Sequence, residues 1–130
     1  KDSSYNLFEN LKIENFSVLP GSELKLLKGL EIGCSGIITA TCNVTAAISR
    51  KVYDDYKSNK LQTANEMLCN VRNIFDQFNL ISGLHSFMAD KDIIYKNILP
   101  PISLLCKKDK IKLIKDLNKL NFKLESSRVT

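Results

Sequence analysis

The sequence of 130 residues predicts an α/β fold, in which strand and helix alternate at first and helices alone follow. Two short apolar runs, 16–19 and 37–41, flank a stretch of leucines at helical spacing. This order is typical of a parallel strand–helix–strand unit. After residue 44 the apolar residues recur three or four positions apart, as they do along one face of a helix.

The alternating part is predicted to contain a helix, a strand, a second helix and a second strand. A serine near the start can cap a first helix that runs to residue 11. The strand at 16–19 ends at a Pro-Gly turn. The helix at 23–31 ends at Gly33, because a glycine after a helix readily takes the left-handed conformation. The strand at 37–41 is rich in β-branched residues.

The rest of the chain is predicted to be helical. Helices are expected at 44–56, 83–88 and 93–98, and residues after 125 form a tail. Between the first two of these helices, Asn59 and a glutamine three residues on indicate a capping box. The helix that it opens has a wide exposed stripe of apolar residues: Leu61, Ala64, Leu68, Val71, Phe75 and Phe78. The final amphipathic helix is marked by Ile111, Ile114, Leu117 and Leu120.

Composition and charge favour an ordinary globular protein. The chain is 44% apolar and 25% charged, and no run approaches the roughly 20 apolar residues of a membrane span. The net charge of +5 comes largely from lysines near the C-terminus, which alternate with acidic and apolar residues. That pattern is typical of a solvated helix face, so neither a nucleic-acid partner nor a membrane partner is predicted.

Metal and cofactor sites are not indicated by the sequence. The single histidine, His85, lies far from every cysteine, and no Cys-x-x-Cys pair is present. No cofactor and no metal are therefore predicted. Reduced, buried thiols in a cytoplasmic protein are expected for the four cysteines, Cys34, Cys42, Cys69 and Cys106.

Three segments together carry a family resemblance: Lys-Asp-Ser-Ser at 1–4, Leu-Pro-Gly-Ser-Glu at 19–23 and Gly-Ile-Ile-Thr-Ala-Thr-Cys-Asn-Val at 36–44. In order and spacing they resemble the last third of the dihydrodipicolinate synthase / N-acetylneuraminate lyase family. The resemblance implies the C-terminal part of a (β/α)8 TIM barrel, followed by a C-terminal helical extension. Residues 1–57 would supply the last strands and helices of the barrel, and residues 58–130 would form the extension. The sequence would then lack the upstream part of the barrel.

The resemblance also implies the site residues. In the family, a lysine at the position of Lys1 forms a Schiff base with pyruvate, which makes Lys1 the predicted catalytic residue. Burial at the inner end of a barrel strand would disfavour its ammonium form and so lower its pKa. The predicted substrate-binding residues are Gly21, Ser22, Glu23, Ile38 and Ala40.

The chemistry of each predicted substrate-binding residue suggests a role for it. Gly21 lets backbone approach a ligand, and Ser22 and Glu23 can bond substrate hydroxyls or an amine. A role in capping the following helix explains the presence of Ser22 and Glu23 equally well. The family places an apolar pocket residue at Ile38. Ala40 stands where sugar-acid lyases can carry a serine, and it offers no hydrogen bond.

The resemblance implies a carbon–carbon lyase, or class I aldolase, that joins pyruvate or another 2-keto acid to an aldehyde or releases it. The activity would be like that of 4-hydroxy-tetrahydrodipicolinate synthase or of a 2-keto-3-deoxy sugar acid aldolase. Two alternatives stay open: a dehydratase of the same family, and a non-enzymatic basic helical interaction module. Homotetramers are common in the family, so a cytoplasmic homo-oligomer is expected.

Overall fold

The computed structural model describes residues 1–2, 10 and 13–124. The predicted first helix and the predicted C-terminal tail lie outside these residues. The chain divides into two compact units, residues 1–69 and residues 70–124. In the described part of the chain, no helix is both long enough and apolar enough to span a membrane.

In the first unit, two short segments, 16–20 and 34–39, run side by side in the same direction. The backbone N–H of Ser35 donates to the carbonyl of Val18 at 3.2 Å, and the N–H of Ile38 donates to the carbonyl of Pro20 at 3.0 Å. The predicted parallel order of the two segments is therefore confirmed.

The prediction of two regular strands is wrong for the described residues, which are mostly helical. Between the two hydrogen bonds the second segment advances by three residues and the first by two, so the pairing loses its register. The extra residue falls beside Gly36, whose φ of 150° is open mainly to glycine. Pro20, moreover, has no N–H to give to a ladder.

A short 3-10 helix, Glu23–Lys25, leads directly into helix α1, Leu26–Glu31, as the sequence predicted. The helix ends at Gly33, where φ is 95°. The N–H of Gly33 bonds to the carbonyl of Leu30 at 3.1 Å, and the next N–H reaches the carbonyl of Gly29 at 2.8 Å. This pair of bonds is a Schellman motif, and it confirms the predicted helix end.

Helix α2, Cys42–Lys57, packs on α1 and ends in the same motif. Asn59 has φ of 52°, and the N–H of Lys60 bonds to the carbonyl of Asp55 at 2.8 Å. The prediction that Asn59 caps the next helix is therefore wrong. Asparagine is favoured at both positions, and here it takes the left-handed one. The Gln62 side chain donates to the carbonyl of Val52 at 3.1 Å instead of completing a capping box.

Helix α3 covers Asn65–Phe75, so the predicted helix begins too early, and the part of its apolar stripe that lies in α3 is buried rather than exposed. Leu61 precedes the helix and is 85% exposed. Leu68, Val71 and Phe75 are fully buried. In the first unit, the core cluster consists of Leu26, Leu30, Val52 and Leu68.

The second unit contains helix α4, Leu80–Met88, a 3-10 helix, Ile93–Lys96, and helix α5, Lys107–Lys119. Asn79 caps α4 by accepting the N–H of Ser82 at 3.1 Å, which starts the helix earlier than predicted.

The core of this unit is aromatic. The ring of Phe87 lies 6.0 Å from that of Phe75 and 5.9 Å from that of Phe122, measured between centroids. The buried residues of α5 are Leu113 and Leu117, whereas Ile111 is 57% exposed. Of the four apolar residues that mark this helix in the sequence, Leu117 is buried, Ile114 and Leu120 are half-buried and Ile111 is exposed.

Candidate functional site

The start of the chain lies against the turn that follows the first segment. Asp2 forms a parallel bridge to Pro20. Its N–H donates to the carbonyl of Leu19 at 2.9 Å, and its carbonyl accepts the N–H of Gly21 at 2.8 Å. Asp2 is buried, whereas Lys1 is exposed. The backbone of Lys1 is therefore one residue away from the turn that carries three of the predicted binding residues.

The turn and the second segment meet through the same proline. The carbonyl of Pro20 accepts the N–H of Ile38, whose side chain is 49% exposed. Gly21, which follows the proline, bonds to Asp2 on the other side. These hydrogen bonds thus join Asp2, the Pro20-Gly21 turn and Ile38 into one row across three chain segments, and Lys1 directly precedes Asp2.

Ser22 and Ala40 have local backbone roles. The Ser22 hydroxyl is buried and accepts the N–H of Leu24 at 3.3 Å, which caps the 3-10 helix. The carbonyl of Ala40 accepts both the N–H and the side-chain amide of Asn43, at 3.2 and 2.8 Å. Ala40 therefore lies at the start of α2.

Glu23 is fully buried and its carboxylate is held by threonine hydroxyls. Oε1 of Glu23 accepts the hydroxyl of Thr39 at 2.7 Å and that of Thr45 at 3.0 Å. A buried carboxylate is costly unless such donors surround it. These contacts span 16 and 22 residues of sequence, so no local pattern could have revealed them.

Thr39 connects this carboxylate to the start of α2. Its hydroxyl oxygen accepts the N–H of Cys42 at 3.0 Å and lies 3.2 Å from the hydroxyl oxygen of Thr41. Because α2 begins at Cys42, this contact satisfies one of the free N–H groups at a helix start. Sequence reasoning did not single out any of the threonines as a site residue.

Two thiols near this region have perturbed acidity. Burial, and to a lesser extent the charge of Asp2, raises the pKa of Cys34. Burial, followed by the charge of Glu23, raises the pKa of Cys69. Both therefore stay protonated at neutral pH, which disfavours them as nucleophiles or metal ligands. All four cysteines are described, and each is a free thiol. The prediction that they are buried holds for Cys34 and is wrong for the others, since Cys42 and Cys69 are half-buried and Cys106 is exposed.

The described residues contain no group of three or more histidine, cysteine or acidic side chains that could hold a metal ion. The hydrogen-bonding groups around Glu23 include threonine hydroxyls and a backbone amide. This environment can orient backbone and polar ligands.

Comparison with known proteins decides the family. The model of the dihydrodipicolinate synthetase family matches residues 1–120. The chain belongs to this family. The match includes Lys1, the turn at 20–23 and the second segment. Among curated protein sequences, none matches the chain significantly.

Solved structures of the family share its fold. A dihydrodipicolinate synthase from Bacillus anthracis is 14% identical, with a TM-score of 0.72 over 82% of this chain and 38% of its own. A monomeric dihydrodipicolinate synthase variant is 17% identical, with a TM-score of 0.71 over 84% of this chain and 37% of its own. A prophage protein of the family from E. coli, solved with pyruvate, is 21% identical, with a TM-score of 0.68 over 83% of this chain and 38% of its own.

The chain thus spans less than half the length of these structures. At such identities the likeness concerns the fold alone. The matched structures imply a TIM-barrel fold, which agrees with the parallel pairing of the two segments. The described residues by themselves contain no regular strand, and helices dominate them.

Proposed function

We propose that this chain is part of a Schiff-base-forming lyase, a class I aldolase that joins pyruvate or another 2-keto acid to an aldehyde or splits the product. The observation that carries the proposal is the hydrogen-bonded row that joins Asp2 to Pro20 and Gly21. It brings the backbone of Lys1 to the end of a parallel pair, and TIM-barrel active sites lie at such ends. Family membership and the pyruvate complex of the E. coli relative support the same chemistry.

Lys1 is the proposed nucleophile. Its neutral amine attacks the keto carbon of pyruvate, and loss of water leaves an iminium ion. Loss of a proton from the methyl carbon then gives an enamine, whose electron pair forms the new carbon–carbon bond to the aldehyde carbon. The aldehyde oxygen takes up a proton. Water finally hydrolyses the iminium, releases the product and restores the amine of Lys1.

The other predicted residues are proposed to shape the binding side of the site. Gly21 and Ser22 belong to the turn beside Asp2, Ile38 belongs to the second segment, which is hydrogen-bonded to that turn, and Ala40 follows that segment at the start of α2. The carboxylate of Glu23 is fully buried. Its proposed contribution to binding is therefore made through the residues that it holds.

The wider assignments are also proposals. Residues 1–57 would belong to the barrel and residues 58–130 to the helical extension. The substrate would be a small molecule, as in a 4-hydroxy-tetrahydrodipicolinate synthase-like or sugar acid aldolase-like reaction. We also propose a cytoplasmic homo-oligomer, a tetramer, without a nucleic-acid or membrane partner.

The test is covalent trapping in the full-length protein that contains this chain. Incubation with pyruvate and borohydride should reduce the iminium and leave one pyruvate-derived adduct, which peptide mass mapping should locate on Lys1. The Lys1→Arg variant should lose the adduct. Lys60→Arg is the matched control because Lys60 is exposed and lies beyond the end of α2, and its adduct should persist.

The proposal fails if no adduct forms, or if the adduct lies on another lysine and persists in the Lys1→Arg variant. A protein that forms the adduct and also releases water from a hydroxylated 2-keto acid, without carbon–carbon cleavage, would instead be a dehydratase. A well-folded protein that never forms an adduct would favour the interaction module.

A further inference from the structure

Thr39 occupies a central position between the predicted binding segments. It lies between Ile38 and Ala40 in sequence, and its hydroxyl bonds to Glu23, the residue after Ser22. One side chain therefore ties the second segment to the turn by a bond of 2.7 Å, beside the backbone bond between Ile38 and Pro20. Two contacts of different kinds fix the same approach of the two segments.

The hydrogen bonds of Thr39 use every donor and acceptor of its hydroxyl. A carboxylate only accepts, so the single hydrogen of Thr39 points to Oε1 of Glu23. The hydroxyl oxygen then accepts from Cys42 N–H at 3.0 Å and from the Thr41 hydroxyl at 3.2 Å. The direction of hydrogen-bond donation is thus fixed: the Thr41 hydroxyl donates to Thr39, and the Thr39 hydroxyl donates to Glu23.

The hydroxyl of Thr45 also donates to this carboxylate oxygen, but it shares its hydrogen with a second acceptor. Its hydroxyl lies 3.0 Å from Oε1 of Glu23 and 3.0 Å from the carbonyl of Thr41. One hydrogen serves both acceptors, so the bond to Glu23 is shared. Thr39, with the shorter and unshared bond, is the stronger anchor of the carboxylate.

We infer that Thr39 is a positioning residue, which sets how Ile38, Ala40 and the turn at 20–22 meet the keto acid. The inference rests on the proposed function and adds a residue that does not touch substrate. Without the hydroxyl, the fully buried Glu23 carboxylate lacks one donor and must shift towards others. Ser22 on one side and the backbone of Ile38 on the other then move apart, while Lys1 keeps its amine.

The experiment measures borohydride trapping against pyruvate concentration in the full-length protein. Thr39→Val keeps the shape of the side chain and removes the hydroxyl, and it should raise the half-saturating pyruvate concentration about tenfold. The amount trapped on Lys1 at saturation should stay the same. Thr39→Ser restores the hydroxyl and should bring the concentration back to within about twofold of the wild type. Thr63→Val, at an exposed threonine of the α2–α3 loop, is the matched control and should change nothing.

Thr45→Val should show a smaller increase, about threefold, because its bond to Glu23 is shared. If circular dichroism shows that Thr39→Val does not fold, the half-saturating pyruvate concentration of Thr45→Val tests the inference instead. Half-saturation that is unchanged in Thr39→Val, or in Thr45→Val where only that variant folds, overturns the inference and leaves the proposed function intact. Equal losses in Thr39→Ser and Thr39→Val overturn it as well. A wild type that traps no pyruvate overturns both proposals.

Discussion

Replacement of Leu68 by alanine tests where the core of the first unit lies. Leu68 is fully buried and packs in the cluster of Leu26, Leu30 and Val52. The change removes three carbon groups, worth about 0.8 kcal/mol each on transfer from water, and leaves a cavity that adds about 1 kcal/mol or more. We therefore expect a loss of about 3 to 4 kcal/mol in the free energy of unfolding.

Leu61→Ala is the matched control, since the sequence placed both leucines on one stripe. Leu61 is 85% exposed, so its truncation should change stability by less than about 0.5 kcal/mol. Urea unfolding of the intact protein, followed by far-ultraviolet circular dichroism, should show the midpoint falling by about 1 to 2 M for Leu68→Ala alone. Equal effects of the two changes would refute the structural position of α3 and restore the longer helix.

Two further predictions concern a charge and a helix end. Hydrogen bonds from Lys112 and Lys119 lower the pKa of Asp116 from 3.8 to about 2, so its stabilising contribution is present above pH 3.8 and is lost as the pH falls through about 2. In Lys119→Met, NMR titration of the carboxyl carbon should give a higher pKa, and an unchanged value would contradict this account. An added Cβ at Gly33 meets nothing within 4 Å, so Gly33→Ala should cost about 1 to 2 kcal/mol through its φ of 95° alone. The exposed Glu31→Ala should be nearly neutral in the same thermal melts, and equal losses would exclude the backbone cause.

Local signals in the sequence predicted several elements well. Gly33 ends α1 because glycine tolerates positive φ, and a glycine after a helical run can be recognised in the sequence. The same logic was ambiguous at Asn59, since asparagine serves both as an N-cap and as a left-handed residue after a helix. The hydrogen bond from the N–H of Lys60 to the carbonyl of Asp55 shows that the left-handed position is taken, and such a bond forms only in the folded chain.

The candidate site was predictable only in part. The turn at 20–23 and the run at 36–44 could be singled out by family resemblance, and the structure brings them together through Pro20 and Ile38. The bonds from Thr39 and Thr45 to Glu23 could not be predicted, because they join residues 16 and 22 positions apart. Hydrophobic periodicity has no information on which polar side chains meet across such distances.

The buried carboxylate of Glu23 also limits how this region can evolve. An aspartate at position 23 is one methylene shorter and would not reach both hydroxyls without movement of the backbone. An apolar residue there would leave the hydroxyl of Thr39 without an acceptor. Substitutions at positions 23, 39 and 45 should therefore be inherited together, and a change at one of them should be tolerated only in a lineage that has already altered another.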